Sequence, residues 1–236
     1  MDNILITGAA SGIGAATARL FHGRGWKVGL LDINHAALAS LAAELGGVWH
    51  AELDVTDALT AYGQQTAAQL TDLCGFILMQ KSPSCGMERV KVYQYSGHTA
   101  EHGGVGLFAA ALMQAQPNLP VEEDGRLNDP VLRETFMTRV FAYAQWRELL
   151  SSGLSLKKLY DFHARYKYQL MANSPADCTA LGRMLANSNK ERLGILANNY
   201  FSLFMSALKK IANRGSHTNV LQHLSGYIKK SLDSAD

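Results

Sequence analysis

An α/β doubly wound (Rossmann-like) parallel sheet followed by an all-α helical domain is the fold this sequence predicts, on three observations. Apolar runs of strand length alternate with helical stretches through residues 1–123. A glycine-rich turn, Thr7-Gly8-Ala9-Ala10-Ser11-Gly12-Ile13-Gly14, joins the first such run to the first helix. After Leu127-Asn128-Asp129-Pro130, apolar residues recur at helical spacing, as at Phe136, Val140, Tyr143 and Ala144. The domains predicted are 1–123, itself divided into 1–57 and 58–123, and 124–236.

In order, Asn3–Ile6 reads as a buried parallel strand by its length and by the turn signal after it. Ile13–His22 is alanine-rich and closed by Gly23 and Gly25, so it reads as a helix. Lys27–Leu31 is a second apolar run and ends in Asp32. His35–Leu45 is a helix stopped by Gly46-Gly47, and Val48–Leu53 a third strand. Ala58–Leu73 reads as helix, Gly75–Met79 as strand, Val90–Tyr93 as a short extra strand, Val105–Gln114 as helix and Leu119–Val121 as the last strand. From Val131 to Leu232 four to six helices are expected.

Hydrophobic residues at 47% and charged residues at 18% describe a globular chain rather than a disordered one. No apolar run is long enough to span a membrane, and the N-terminal stretch lacks the basic start of a signal peptide. Three cysteines, Cys74, Cys85 and Cys178, make no even-numbered disulfide framework, so a cytoplasmic protein is expected. The net charge of +2 is unevenly spread. Residues 1–129 carry 7 Lys+Arg and 13 Asp+Glu, whereas residues 130–236 carry 15 and 7. Acidic front and basic back suggest two modules, complementary to each other or, in the basic one, open to nucleic acid.

The glycine turn has a physical purpose. Gly8 allows the turn after the strand, Gly12 lets backbone approach a pyrophosphate, and Gly14 lets the helix pack closely on the sheet. The helix N-terminus then offers N–H groups and a positive dipole end to the phosphates. Asp32, ending the second strand, is placed to accept from both ribose hydroxyls and to repel a 2′-phosphate, which favours NAD over NADP. With Thr7, Ser11 and Ile13 completing the motif, residues 1–57 resemble the short-chain dehydrogenase/reductase family. The resemblance implies that Asp54-Val55 is the adenine-contacting pair after the third strand. It also implies an Asn-x-Ala-Gly after the fourth strand and a catalytic Tyr with Lys four residues later. Neither occurs, since no tyrosine in the chain has Lys at that spacing. Without the pair nothing lowers a tyrosine pKa for proton transfer to a carbonyl, and ordinary dehydrogenase catalysis is not expected.

A second signature follows. Ser82-Pro83-Ser84-Cys85-Gly86 comes after an apolar strand, where loops at the carboxyl end of a sheet present side chains to ligands. Cys85, with Ser84 beside it, is the candidate catalytic residue, as nucleophile or soft metal ligand. With Gly75-Phe76-Ile77-Leu78, Val92-Tyr93 and Gly103-Gly104-Val105-Gly106-Leu107-Phe108, residues 54–123 resemble the second half of the thiouracil desulfurase-like family. That resemblance implies a [4Fe–4S] cluster held by three cysteines. A cluster needs three or four thiolates, and Cys85 alone sits on a matching motif, so assembly is not expected. No metal site is predicted elsewhere.

Residues 124–236 resemble the YbgA-like domain through Arg139-Val140-Phe141-Ala142-Tyr143, Phe162-His163-Ala164-Arg165-Tyr166-Lys167-Tyr168 and His217-Thr218-Asn219-Val220-Leu221-Gln222-His223. His163, Arg165 and Lys167 with Tyr166 and Tyr168 make a basic, aromatic cluster suited to an anion or a stacked base. His217 and His223 are six apart, a poor spacing for one metal on one helix.

The expectation is a hybrid. A dinucleotide-binding half completes a desulfidase-like half in one sheet of order 3-2-1-4-5, with the Cys85 loop beside the Gly8–Gly14 turn. Dinucleotide binding without either parent's chemistry is expected. The alternatives are an NAD-dependent oxidoreductase with atypical catalytic residues, and a nucleic-acid or protein-binding module acting through the basic helices.

Overall fold

The computed structural model describes residues 2–92, 103–188 and 192–229. Two compact units divide at Gly63/Gln64.

Unit 1–63 starts with β1 (Asn3–Thr7), α1 (Gly12–Gly23), β2 (Lys27–Asp32), α2 (His35–Glu44) and β3 (His50–Glu52). The strands form a parallel sheet in the order β1-β2-β3, with Asn3 opposite Lys27 and Leu30 opposite His50. Alternation puts Ile6, Val28 and Leu30 on one face, packed with Ala15 and Ala18 of α1 and Leu38, Leu41 and Ala42 of α2. On the other face Leu5 and Trp49 remain 59% and 61% exposed. Gly29 leaves room there, since a β-carbon on it would lie 2.9 Å from Leu5 Cδ1 and 3.2 Å from Trp49 Cε3. Asn34 caps α2 by accepting from Ala37 N at 3.1 Å. The next helix, α3 (Val55–Gln69), crosses the boundary between the units.

Unit 64–236 has an α/β layer and a helical bundle. In the layer β4 (Phe76–Leu78) pairs parallel with β5 (Val121–Glu123), and α4 (Leu107–Ala115) lies between them in sequence. Ala67, Leu78, Ala109, Leu112, Leu119 and Val121 are its core. The bundle comprises α5 (Pro130–Ser151), α6 (Leu156–Asn173), α7 (Pro175–Ala186), α8 (Leu193–Lys209) and α9 (Arg214–Lys229). Its core is aromatic, with the Trp146 and Phe201 rings stacked at 4.4 Å and Phe162, Tyr200 and Phe204 around them. Tyr143 packs against both this core and that of the α/β layer. Asp129, Ser155 and Ser174 cap α5, α6 and α7, and Pro130 and Pro175 occupy first turns.

Two features depart from the sequence reading. The strands form two separate sheets, β1-β2-β3 and β4-β5, in place of one five-stranded sheet. Apolar runs specify strands locally, but which edges pair is decided by side-chain complementarity between layers, which no single segment encodes. The last strand also runs later than its apolar signal, into Glu122 and Glu123, which are buried because neighbouring N–H groups and Arg126 satisfy them. Val90 makes an isolated antiparallel bridge with Gly104. Tyr93 and Leu232 lie outside the described residues.

Candidate functional site

The glycine turn leaves β1 and enters α1. Gly8 and Gly12 have φ of +65° and +51°, a region that costs a side chain strain. A β-carbon on Gly14 would overlap the Gly8 carbonyl oxygen, so helix and turn approach as closely as backbones can. Nothing stands within 4 Å of a β-carbon built on Gly12, so the space beside the first residue of α1 is open. Ser11 is the N-cap but makes no side-chain bond to the first turn of α1.

Asp32 is held from two sides. Its Oδ2 accepts from Ala10 N at 2.8 Å and its Oδ1 from Asn34 N at 2.9 Å. The carboxylate thereby ties the glycine turn to the start of α2. A cleft of about 370 Å³ opens at the carboxyl ends of the three strands, lined among others by Thr7, Gly8, Asp32, Asp54 and Val55. Five of the residues chosen from sequence for the dinucleotide thus share one cleft. Ser11, Gly12, Ile13 and Gly14 lie at the start of α1 and are not among its lining residues. Asp54 accepts from Thr56 N at 2.7 Å at the start of α3. That backbone bond is the main reason its carboxyl is held below the usual range.

Cys85 and Ser84 fall in the other unit. Ser84 Oγ is 3.2 Å from Cys85 Sγ and 3.1 Å from Ser82 Oγ, which also accepts from Cys85 N at 3.2 Å. The loop is fastened to the start of α4: Leu107 N donates to Pro83 O at 3.2 Å and Ala109 N to Ser84 O at 3.1 Å. First-turn N–H groups that could meet an anion are therefore spent on the loop. Gly106 makes that contact possible, because a β-carbon there would lie 2.5 Å from Ser84 O. Lys81, opening the loop, takes a φ of +61° without being glycine.

Sequence reasoning missed the acidic network behind this loop. Glu123, 1% exposed, accepts from Met87 N at 2.7 Å and Glu88 N at 3.4 Å. Glu122 accepts from Arg126 Nε at 2.6 Å, while Arg126 Nη1 donates to Glu88 at 2.6 Å. These bonds, that to Glu122 foremost, hold the Arg126 guanidinium above its usual pKa. Arg139 is 8% exposed, its Nε has no hydrogen-bond partner, and burial pushes its pKa down against the pull of Glu122. The available signal was Glu122-Glu123-Asp124 directly after an apolar run, the position of a sheet's carboxyl end.

The basic, aromatic cluster on α6 is split: Arg165 Nη1 donates at 3.0 Å to Gln145 Oε1, Lys167 Nζ lies 5.9 Å from the Tyr168 ring, and His163 and Tyr166 face the core. Tyr166 turns inward against Phe162 and Phe204, and its hydroxyl donates to Gln145 Oε1 at 3.0 Å. His163 Nδ1 is 3.1 Å from the hydroxyl of the fully buried Tyr200, and burial pushes the imidazole pKa down. Arg165 and Lys167 are exposed. Among the described residues no three His, Cys, Asp or Glu side chains gather to hold a metal. No helix among them is long and apolar enough to cross a membrane.

Known proteins match this chain piecewise. Residues 39–124 match the 2-thiouracil desulfurase family, and residues 167–236 match a protein of unknown function, DUF1722. The chain is composite. Uncharacterized protein YbgA of Escherichia coli (strain K12) is 32% identical over 104 residues, 44% of this chain and 62% of that protein. Serine 3-dehydrogenase of Agrobacterium fabrum (strain C58) is 53% identical over 55 residues, 23% of this chain and 22% of the enzyme. This chain therefore spans less than two thirds of YbgA and under a quarter of that dehydrogenase. Among solved structures, a short-chain dehydrogenase of Shigella flexneri aligns at 21% identity over 52% of this chain and 58% of its own, with a TM-score of 0.26. A superposition that loose carries no argument about the whole fold. The three resemblances read from sequence are nonetheless all found.

Proposed function

We propose that unit 1–63 binds NAD, in a chain that performs neither standard dehydrogenase nor standard desulfidase chemistry. The observation that carries the reading is Asp32, fixed by Ala10 and Asn34 at a cleft that also takes in Thr7, Gly8, Asp54 and Val55. A carboxylate has about four lone-pair sites. The two backbone bonds leave acceptor capacity for ribose hydroxyls, and the charge opposes a 2′-phosphate. The open space beside Gly12 suits a pyrophosphate, which Ser11, Ile13 and Gly14 would meet at the helix start. Bound NAD would supply hydride chemistry. This chain's own residues would bind and orient it, and no Tyr–Lys pair is present to move the proton.

An iron–sulfur cluster does not fit the described donors, because Cys85 lacks two thiolate neighbours. Cys85 and Ser84 remain the reactive groups to probe in the second unit, by substitution of each.

Thermal unfolding with NAD and NADP tests the reading. At 100 times the dissociation constant NAD should stabilise by about 2.7 kcal/mol, and NADP should do less. Asp32→Asn should narrow that difference. No shift with millimolar NAD, in either oxidation state, would sink the proposal.

A further inference from the structure

A second recess lies wholly within unit 64–236. It is an open cleft of about 580 Å³ where the end of α3, the end of α4 and the middle of α5 meet. Gln64, Gln116, Asn118, Thr71 and Tyr143 supply its polar groups, and Ala67, Ala68, Ala115 and Pro117 its small apolar surface. None of these nine residues carries a formal charge, and the neighbouring Arg147, whose cation acts on Tyr143, is spent on Leu73 O at 3.1 Å and Asp72 Oδ1 at 3.2 Å.

Two of the carboxamides are already fixed. Gln116 Nε2 donates to Ala67 O at 2.8 Å and Leu70 O at 3.0 Å, using both its hydrogens on carbonyls at the end of α3. Its Oε1 is left as a bare acceptor. Asn118 Nδ2 donates to Ser202 Oγ at 3.1 Å, leaving its carbonyl oxygen and one N–H. Tyr143 is anchored between two cores, and burial raises its phenol pKa against the pull of the Arg147 charge. The cleft thus presents neutral donors and acceptors beside small apolar side chains, with its one neighbouring cation already paired, an arrangement that recognises a small uncharged group and disfavours an ion left without a counter-charge.

We infer that this cleft binds an uncharged, flat aromatic or heteroaromatic carboxamide, its amide hydrogen-bonding with Gln116 Oε1, Gln64 and the Tyr143 hydroxyl and its ring lying on Ala67, Ala115 and Pro117. A carboxamide offers both donor and acceptor, which matches the lining. A carboxylate has only acceptors and would face Gln116 Oε1 oxygen to oxygen.

The test uses the full chain and three probes of one shape: benzamide, benzoate and benzene. Ligand-observed NMR with 10 mM benzamide should show binding, and benzoate and benzene should bind about tenfold more weakly or not at all, the equivalent of one good hydrogen bond. Tyr143→Phe keeps the ring and its packing, and Gln64→Ala alters an exposed side chain, so both variants should fold. Each should weaken benzamide binding several-fold. Failure to see benzamide bind, equal binding of benzoate, or benzamide binding indifferent to both substitutions overturns the assignment.

Discussion

Gly14 shows how far one residue can be read from sequence. Its place in the motif marked a helix packed closely on the sheet, and the close contact found is with the turn that leaves the first strand, where a β-carbon would overlap the Gly8 carbonyl. Gly14→Ala is therefore expected to destabilise the first unit by roughly 3 kcal/mol, an overpacking cost with backbone on the other side, measurable by chemical denaturation. Arg139 is the opposite case. Nothing in its neighbours announced a buried guanidinium with an orphaned Nε. Burial outweighs the attraction of Glu122 and holds its pKa below the ordinary guanidinium value, and an apolar side chain of similar length would remove the unmatched Nε. Arg139→Met should raise the thermal midpoint of the second unit, and a fall would show that the guanidinium is needed in place. His163 adds a pH dependence. Burial, then Lys167, lowers its folded pKa below the ordinary 6.5, so the native state prefers the neutral ring. That stability is present above pH 6.5 and lost as pH falls through the depressed folded value. Denaturation between pH 7.5 and 4.5 should show a slope that His163→Gln flattens.

Elements were most legible where local chemistry suffices. Asp129-Pro130 reads as a helix start, and Asp129 Oδ1 accepts from Val131 N at 2.8 Å and Leu132 N at 3.1 Å. Asp129→Ala should cost about 1 kcal/mol of stability in thermal unfolding, the usual worth of an N-cap. The strands at Asn3–Thr7 and Lys27–Asp32 were equally plain, because short apolar runs ended by turn residues leave few alternatives. β5 was shifted towards its carboxyl end because Glu122 and Glu123 look like surface residues. Pairing with Ile77 and Leu78 makes a strand of them, and Arg126 with the N–H groups of Met87 and Glu88 lets their carboxylates be buried. The α6 cluster separated for a related reason. Residues adjacent in sequence point around a helix at 100° intervals, so Tyr166 entered the core while Arg165 and Lys167 stayed outside.

At the scale of the molecule, the cores give the organisation. Among the described residues, that of residues 6–45 shares no member with the other two, whereas Tyr143 belongs to the margins of both cores in unit 64–236. Calorimetry should accordingly resolve one transition for the first unit and one for the second. Gly14→Ala is expected to lower only the former. A single transition lowered as a whole would contradict this division.

By itself the sequence determined the composite make-up, the glycine turn with its acid at Asp32, and the change to helices after Asp129. These are patterns of residue type and spacing along the chain, the longest being the eighteen residues from Gly14 to Asp32 within one strand–helix–strand unit. Tertiary structure alone decided that the strands form two sheets, that Glu122 and Glu123 are buried behind the Cys85 loop, and that Gln116, Asn118 and Tyr143 meet at one cleft. Those outcomes depend on which surfaces are complementary at long range, where packing and the pairing of buried polar groups select the arrangement and sequence spacing carries no signal.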